Sequence, residues 1–221
     1  MGRYRLVTLC LSCAALLLAG GCAPPTARDY TDYRARMPRS VLVLPPLNHS
    51  VAVNAPYAYL STVTRPLAEC GYYVFPVAVV DAFMKENGLP TPGEMHAVSL
   101  HKIHEVFAAD AVLYASIETY GQKYRILASE AVIRASVRLV DVITGATLWE
   151  GTAQAVQGSG DSGGGLIGLL LTAAIAQGVG ATLDQAHELA RQANTQMIFD
   201  KHNGLLYGPY HAEYAVDPRG R

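Results

Sequence analysis

Ala131-Val132-Ile133-Arg134-Ala135-Ser136-Val137-Arg138-Leu139-Val140 is the stretch whose reading decides the fold. Ile133, Ala135, Val137 and Leu139 alternate with Arg134, Ser136 and Arg138, and successive side chains of a strand point to opposite faces. One face is therefore buried and the other wet, as in an antiparallel sheet. Thr144-Gly145 supplies the next turn, and Thr147 to Val156 runs back through Leu148 and Trp149. Upstream, Ala111 to Tyr120 predicts a third strand, and the three neighbours form a meander.

Further toward the amino terminus, Val41-Leu42-Val43-Leu44 is a continuous apolar run ended by Pro45-Pro46, which predicts a strand buried on both faces. Pro56 suits the first turn of a helix running through Tyr57 to Cys70. Pro66 is expected to kink or restart that helix, and Gly71 to stop it. Tyr72 to Val77 reads as another strand and Val79 to Asn87 as a short helix. Thr91-Pro92-Gly93-Glu94 matches a capping box with Pro at the first helical position. The helix that follows breaks near Ser99 and resumes through His101 to Ala108. The fold class is α/β: a mixed sheet of about five strands with an antiparallel meander, flanked by helices.

Toward the carboxyl terminus, Gln157 to Gly165 is rich in Gly and Ser. The apolar run Leu166 to Ala176 is about half a bilayer crossing, so it reads as a core or docking helix. Thr182 can cap a last helix to about Asp200, giving two C-terminal helices. Leu183, Ala186, Ala190, Ala193 and Met197 share one face of it. Core packing is one account of that stripe, and a homodimer seam the other. The expected division is a single domain over 40–202 with a surface tail over 203–221.

The chain has 221 residues, of which 51% are hydrophobic, enough for a substantial core. Its 17 basic residues against 18 acidic ones leave no electrostatic footprint for nucleic acid. The basic cluster of Arg28, Arg34, Arg36 and Arg39 is interrupted by Asp29 and Asp32, and reads as part of a charged tether over 22–39 with some attraction to anionic head groups. Residues 1–21 read as a signal peptide: Arg3 and Arg5 precede the apolar Leu6 to Ala19, a run too short to span a membrane. Ala19-Gly20-Gly21-Cys22 then resembles a bacterial lipobox, although Ala19 stands where that motif usually has Leu. The resemblance implies acyl chains on Cys22 and, with Ala23 rather than Asp after it, an outer-membrane anchor. Cys10 and Cys13 lie in the leader, so Cys70 has no internal partner and reads as a buried or half-buried structural thiol, with an intermolecular disulfide as the alternative.

Several further segments carry a resemblance together: Leu44-Pro45-Pro46, Thr64-Arg65-Pro66-Leu67-Ala68-Glu69, Gly71-Tyr72-Tyr73-Val74-Phe75-Pro76, Ala109-Asp110-Ala111-Val112-Leu113-Tyr114, Leu148-Trp149-Glu150 and Leu206-Tyr207-Gly208-Pro209. With them the mature chain resembles a bacterial lipoprotein family of unknown function that includes a meningococcal vaccine-candidate lipoprotein. That family is similar in fold to the amino-terminal domain of the Tol-system propeller protein and to the periplasmic domain of the curli secretion channel. The resemblance implies an α/β sandwich on the periplasmic side of the outer membrane and an accessory role in envelope assembly or secretion. The partners it implies are envelope proteins such as a curli-channel-like lipoprotein. It carries no catalytic, metal or cofactor residues.

Two motifs invite an enzymatic reading instead. Gly160-Asp161-Ser162-Gly163-Gly164 spells the nucleophile signature of chymotrypsin-like proteases, but the base and orienting acid that Ser162 needs have no counterpart elements, and helix alternating with strand is not a double β-barrel. His101 and His104, with His96 and Glu105 nearby, lack the His-Glu-x-x-His spacing of zinc hydrolases. Exposed helical histidines are the plainer account. The expectation is a non-enzymatic, lipid-anchored binding protein, with a hydrolase using Ser162 or His101 and His104, and a self-associating anchor, as alternatives.

Overall fold

Alternation of apolar and polar side chains builds three long antiparallel strands, and everything else packs on the sheet they start. The computed structural model describes residues 28–125, 128–158 and 182–217. The strands are β1 (Ser40–Val43), β2 (Leu47–Asn48), β3 (Tyr73–Val74), β4 (Ala111–Arg125), β5 (Ala128–Asp141) and β6 (Thr147–Gly158). The helices are α1 (Thr31–Arg36), α2 (Ala55–Glu69), α3 (Val77–Glu86), α4 (Pro92–His96), α5 (Leu100–Phe107) and α6 (Thr182–Ile198). The sheet runs β3-β1-β4-β5-β6, and β2 also pairs with β4. β1 lies parallel to both β3 and β4, whereas β4, β5 and β6 form the antiparallel meander.

The mixed sheet with its antiparallel meander is as expected; among the described residues it has six strands, the sixth arising because the chain after Pro45-Pro46 returns to β4 as β2, pairing Leu47 with Ser116. β3 is only two residues long, cut short where Pro76 removes a ladder donor and α3 begins. Pro66 lies inside α2 without ending it: Pro66 and Leu67 are both buried, and that packing offsets one missing helical bond. The capping box forms as expected, with the Glu94 N–H donating to Thr91 Oγ1 and the Thr91 N–H to Glu94 Oε2.

One face of the sheet carries the larger core. Val43, Leu113, Ile133, Ala135, Leu139 and Trp149 pack there against α2 and α6, including Ala186, Ala190, Ala193 and Met197. Core packing is thus what the α6 stripe does. Among the described residues, the opposite face is covered at its β1 end, where Leu42, Leu44 and Val112 meet Val80, Met84, Met95 and Ile103 of α3, α4 and α5. Beyond those helices, Arg134, Ser136, Arg138, Thr152 and Gln154 of the meander are exposed.

Both flanking segments differ from expectation. The stretch read as tether contributes Tyr30 and Tyr33 to the core, where they are 4% and 1% exposed. The stretch read as a surface tail buries Leu205 and Leu206. The two meet: Tyr30 O–H donates to the Gly204 carbonyl at 2.5 Å, and Tyr72 O–H to that of Leu206 at 2.6 Å. The first of the two expected C-terminal helices, over 166–176, lies outside the described residues.

Candidate functional site

β5 sits between β4 and β6, so register lays their solvent-facing residues out in rows. Tyr114, Arg138 and Glu150 form one cross-strand row, and Ser116, Ser136 and Thr152 the next. The Arg138 guanidinium lies over the Tyr114 ring, 5.6 Å from its centroid, in cation–π contact. From the helical side, His96 meets the same ring edge-on at 5.2 Å. His96 Nε2 is 2.9 Å from the Pro45 carbonyl. A carbonyl only accepts, so Nε2 carries the proton and Nδ1 is a lone pair in the neutral ring. Burial pushes the His96 pKa below its ordinary value, and Arg138 adds to the depression while the Pro45 contact opposes it.

These rows form one wall of a groove of about 1200 Å³ that continues across β6 to the carboxyl end of α6. There it is lined by Gly151, Ala193, Met197, Asp200 and Arg28. Gly151 is required locally: a Cβ on it would stand 2.5 Å from the Trp149 ring, which occupies that space. The indole is pinned by its Nε1–H donating to the Asn203 carbonyl at 2.8 Å, with Arg28 over its ring at 6.0 Å. Backbone N–H groups of Asn203 and His202 donate to Asp200 Oδ1 and hold its carboxyl below the usual range, so the groove keeps a fixed negative charge.

β6 is the outer strand of the sheet, and this gives the groove its main chemical resource. Each strand in a ladder offers alternate backbone groups to either side, so the outward N–H and C=O groups of an edge strand need another partner. Over Thr147–Val156, those groups bond to no other backbone or side chain among the described residues. The strand also lacks the usual protections against pairing, having no Pro, no Lys and a single charge, Glu150. The opposite edge, β3, is too short to act as a template.

The residues singled out in the sequence are placed differently. Cys22 and Ser162 lie outside the described residues. His101 is exposed on α5, while His104 turns Nδ1 toward the Ala109 carbonyl at 3.3 Å, and Glu105 pairs with Lys102. The structure does not bring His101 and His104 together as a site, and the described residues contain no group of three or more potential metal ligands. Cys70 is buried, its Sγ donating to the Leu206 carbonyl at 3.5 Å. Sequence reasoning missed the groove. Arg134, Ser136 and Arg138 were legible as a wet face, but nothing local says that β6 ends the sheet.

The sequence matches the family described as "Putative lipoprotein GNA1162-like" over residues 28–210. It is 40% identical over 208 residues to "Putative lipoprotein NMB1124/NMB1162" of Neisseria meningitidis serogroup B, covering 93% of this chain and 97% of that one. Among solved structures it is similar to lipoprotein GNA1162 from Neisseria meningitidis, with a TM-score of 0.54 and 45% identity over 62% of this chain and 96% of that chain. A more distant likeness is the PelC dodecamer from Paraburkholderia phytofirmans, with a TM-score of 0.40 and 17% identity over 79% and 91% of the two chains.

Proposed function

The chain belongs to the GNA1162-like lipoprotein family, and from that premise we propose that it is a non-enzymatic, lipid-anchored protein of the outer membrane that docks an envelope partner along the β6 groove. Cys22 carries the lipid, and the body stands on the periplasmic side. The observation that supports the docking role is the edge of β6, whose outward backbone groups have no partner among the described residues, with groove residues on both of its faces. An extended segment of a partner adds to such an edge by main-chain hydrogen bonds, and its alternate side chains enter the flanking clefts. Here one cleft holds Glu150, Thr152 and Gln154, and the other Gly151, Met197 and Asp200.

Photo-crosslinking in intact cells tests this reading. A reactive residue at Gln154 should capture a discrete envelope protein, and one at Glu86, exposed on α3, should not. Equal capture at both positions, or none at Gln154, would sink the docking site. Mass spectrometry of the mature amino terminus checks acylation of Cys22 independently. The replacements Ser162→Ala and His104→Ala should leave function intact if the protein is not a hydrolase.

A further inference from the structure

The arginines before β1 are not part of a free tether. Arg34 and Arg36 lie on α1, with Arg39 just after it, and all three are exposed. None of them, nor Arg28, pairs with an acid among the described residues. Two aspartates share the stretch. Asp29 is occupied as an acceptor for the Thr31 N–H at 2.9 Å, and Asp32 is exposed on α1. The Asp110 carboxylate, which meets the Arg39 backbone, is taken up by the Arg39 and Ser40 N–H groups and the Ser40 hydroxyl. The guanidinium groups are therefore left with donors to spare.

Arg34 and Arg36, two apart on α1, leave the helix on either side of the buried Tyr33, and two features bear on where these charges sit. Tyr30 and Tyr33 are buried on either side of Asp32, so α1 is fastened to the body and its arginines keep a fixed place on it. Arg28 is also close to Cys22 in the sequence. Six residue steps separate Cys22 from Arg28, a reach of about 20 Å at full extension. A body tied to a lipid by so short a lead is held within a few Debye lengths of the head groups, with its N-terminal side toward them.

We propose that Arg34, Arg36 and Arg39 form a head-group-binding surface that seats the body on anionic phospholipid beside the lipid anchor. Guanidinium forks match phosphate oxygens two at a time, which suits phospholipid head groups. A basic patch next to an acyl anchor is also the usual second signal for stable membrane attachment. The geometry has a consequence for docking. Arg28 lines the β6 groove, so the groove opens close to the membrane, and the segment that enters it comes from a partner at the same surface. The reach argument rests on Cys22 being the anchor; the charge argument does not.

The test uses the mature chain from residue 22 with Cys22→Ser, so that no lipid masks the contribution of the body. Vesicles of phosphatidylcholine alone and with phosphatidylglycerol are used for co-sedimentation at low and high salt. Binding is expected only to the anionic vesicles and should disappear at high salt. The triple variant R34A/R36A/R39A should bind at least about tenfold more weakly, R34K/R36K/R39K should retain most binding, and Lys102→Ala, on a helix of the opposite sheet face, should have no effect. Unchanged circular dichroism and thermal midpoint in the alanine variant would show that the fold is intact. Equal binding to neutral vesicles, or no loss in the alanine variant, would overturn the proposal. Displacement by millimolar inorganic phosphate would also overturn it, showing a general anion site rather than a membrane surface. Crosslinking at Gln154 in cells carrying the alanine variant separates the two readings, because loss of vesicle binding with retained capture leaves the docking groove standing.

Discussion

Two buried tyrosines set opposite expectations. Tyr59 is fully buried and its hydroxyl has no hydrogen-bond partner among the described residues; burial pushes its pKa far up. Tyr72, by contrast, sits in a relay in which Tyr33 O–H donates to Tyr72 Oη and Tyr72 O–H to the Leu206 carbonyl. Removing an unpaired hydroxyl releases a desolvation cost, whereas removing a relay member takes a hydrogen bond from each neighbour. Tyr59→Phe should therefore hold or raise stability by about 1 kcal/mol, and Tyr72→Phe should lower it by about 1–3 kcal/mol. Urea unfolding of both variants checks this, and a loss in Tyr59→Phe would contradict the assignment. His96 gives a pH effect. Its folded pKa lies below the ordinary value of 6.5, so the folded state disfavours the proton and the unfolded chain takes it up first. The resulting stability is present above about pH 6.5 and is lost as pH falls through the folded pKa. His96→Gln should flatten the fall in stability between about pH 7.5 and 5; an unchanged slope would show that His96 does not titrate against folding.

The elements were legible wherever a local period or a turn residue specified them. Alternation gave β5, the capping box gave α4, and Gly71 gave the end of α2, where its φ of +93° and the close approach of His211 leave no room for a Cβ. What remained hidden was order in the sheet. The period of two in Thr147–Val156 is the same whether or not another strand lies beyond it, so the sequence reading reached the strand and not its free edge. The edge carries the third prediction. Thr152 and Gln154 are exposed, and their replacement by Lys puts charge beside the row of free backbone groups, the device by which sheet edges resist pairing. T152K/Q154K should leave the thermal midpoint within a degree or two, since surface changes cost little. Partner capture through a crosslinker on neighbouring Val156 should fall at least about tenfold, a change of about 1.4 kcal/mol. Undiminished capture would place the contact elsewhere on the body.

For the whole molecule, the two ends of the chain close the fold together. Neither end carries a helical or strand period strong enough to be read locally, because the partners that bury it are about 170 residues away: 174 positions separate Tyr30 from Gly204. That separation is why the burial of Tyr30, Tyr33, Leu205 and Leu206 was not legible in the sequence. It also makes the carboxyl segment part of the core. Leu205 is 0% and Leu206 2% exposed, and each contributes about 1.5–3 kcal/mol on burial. The same segment supplies the carbonyls that accept from Tyr30, Cys70 and Tyr72. Gly208 packs so tightly on Gly71 that a Cβ would come within 2.2 Å of the Gly71 carbonyl oxygen. Ending the chain after Asn203 removes all of these contacts at once. Such a truncation should cost roughly 4 kcal/mol or more, a large part of the 5–15 kcal/mol that holds a typical domain folded. The truncated protein should therefore unfold at a much lower urea concentration, or fail to accumulate. A urea midpoint equal to that of the full chain would show that the segment is the surface tail its sequence suggests, and that α1 reaches the core without it.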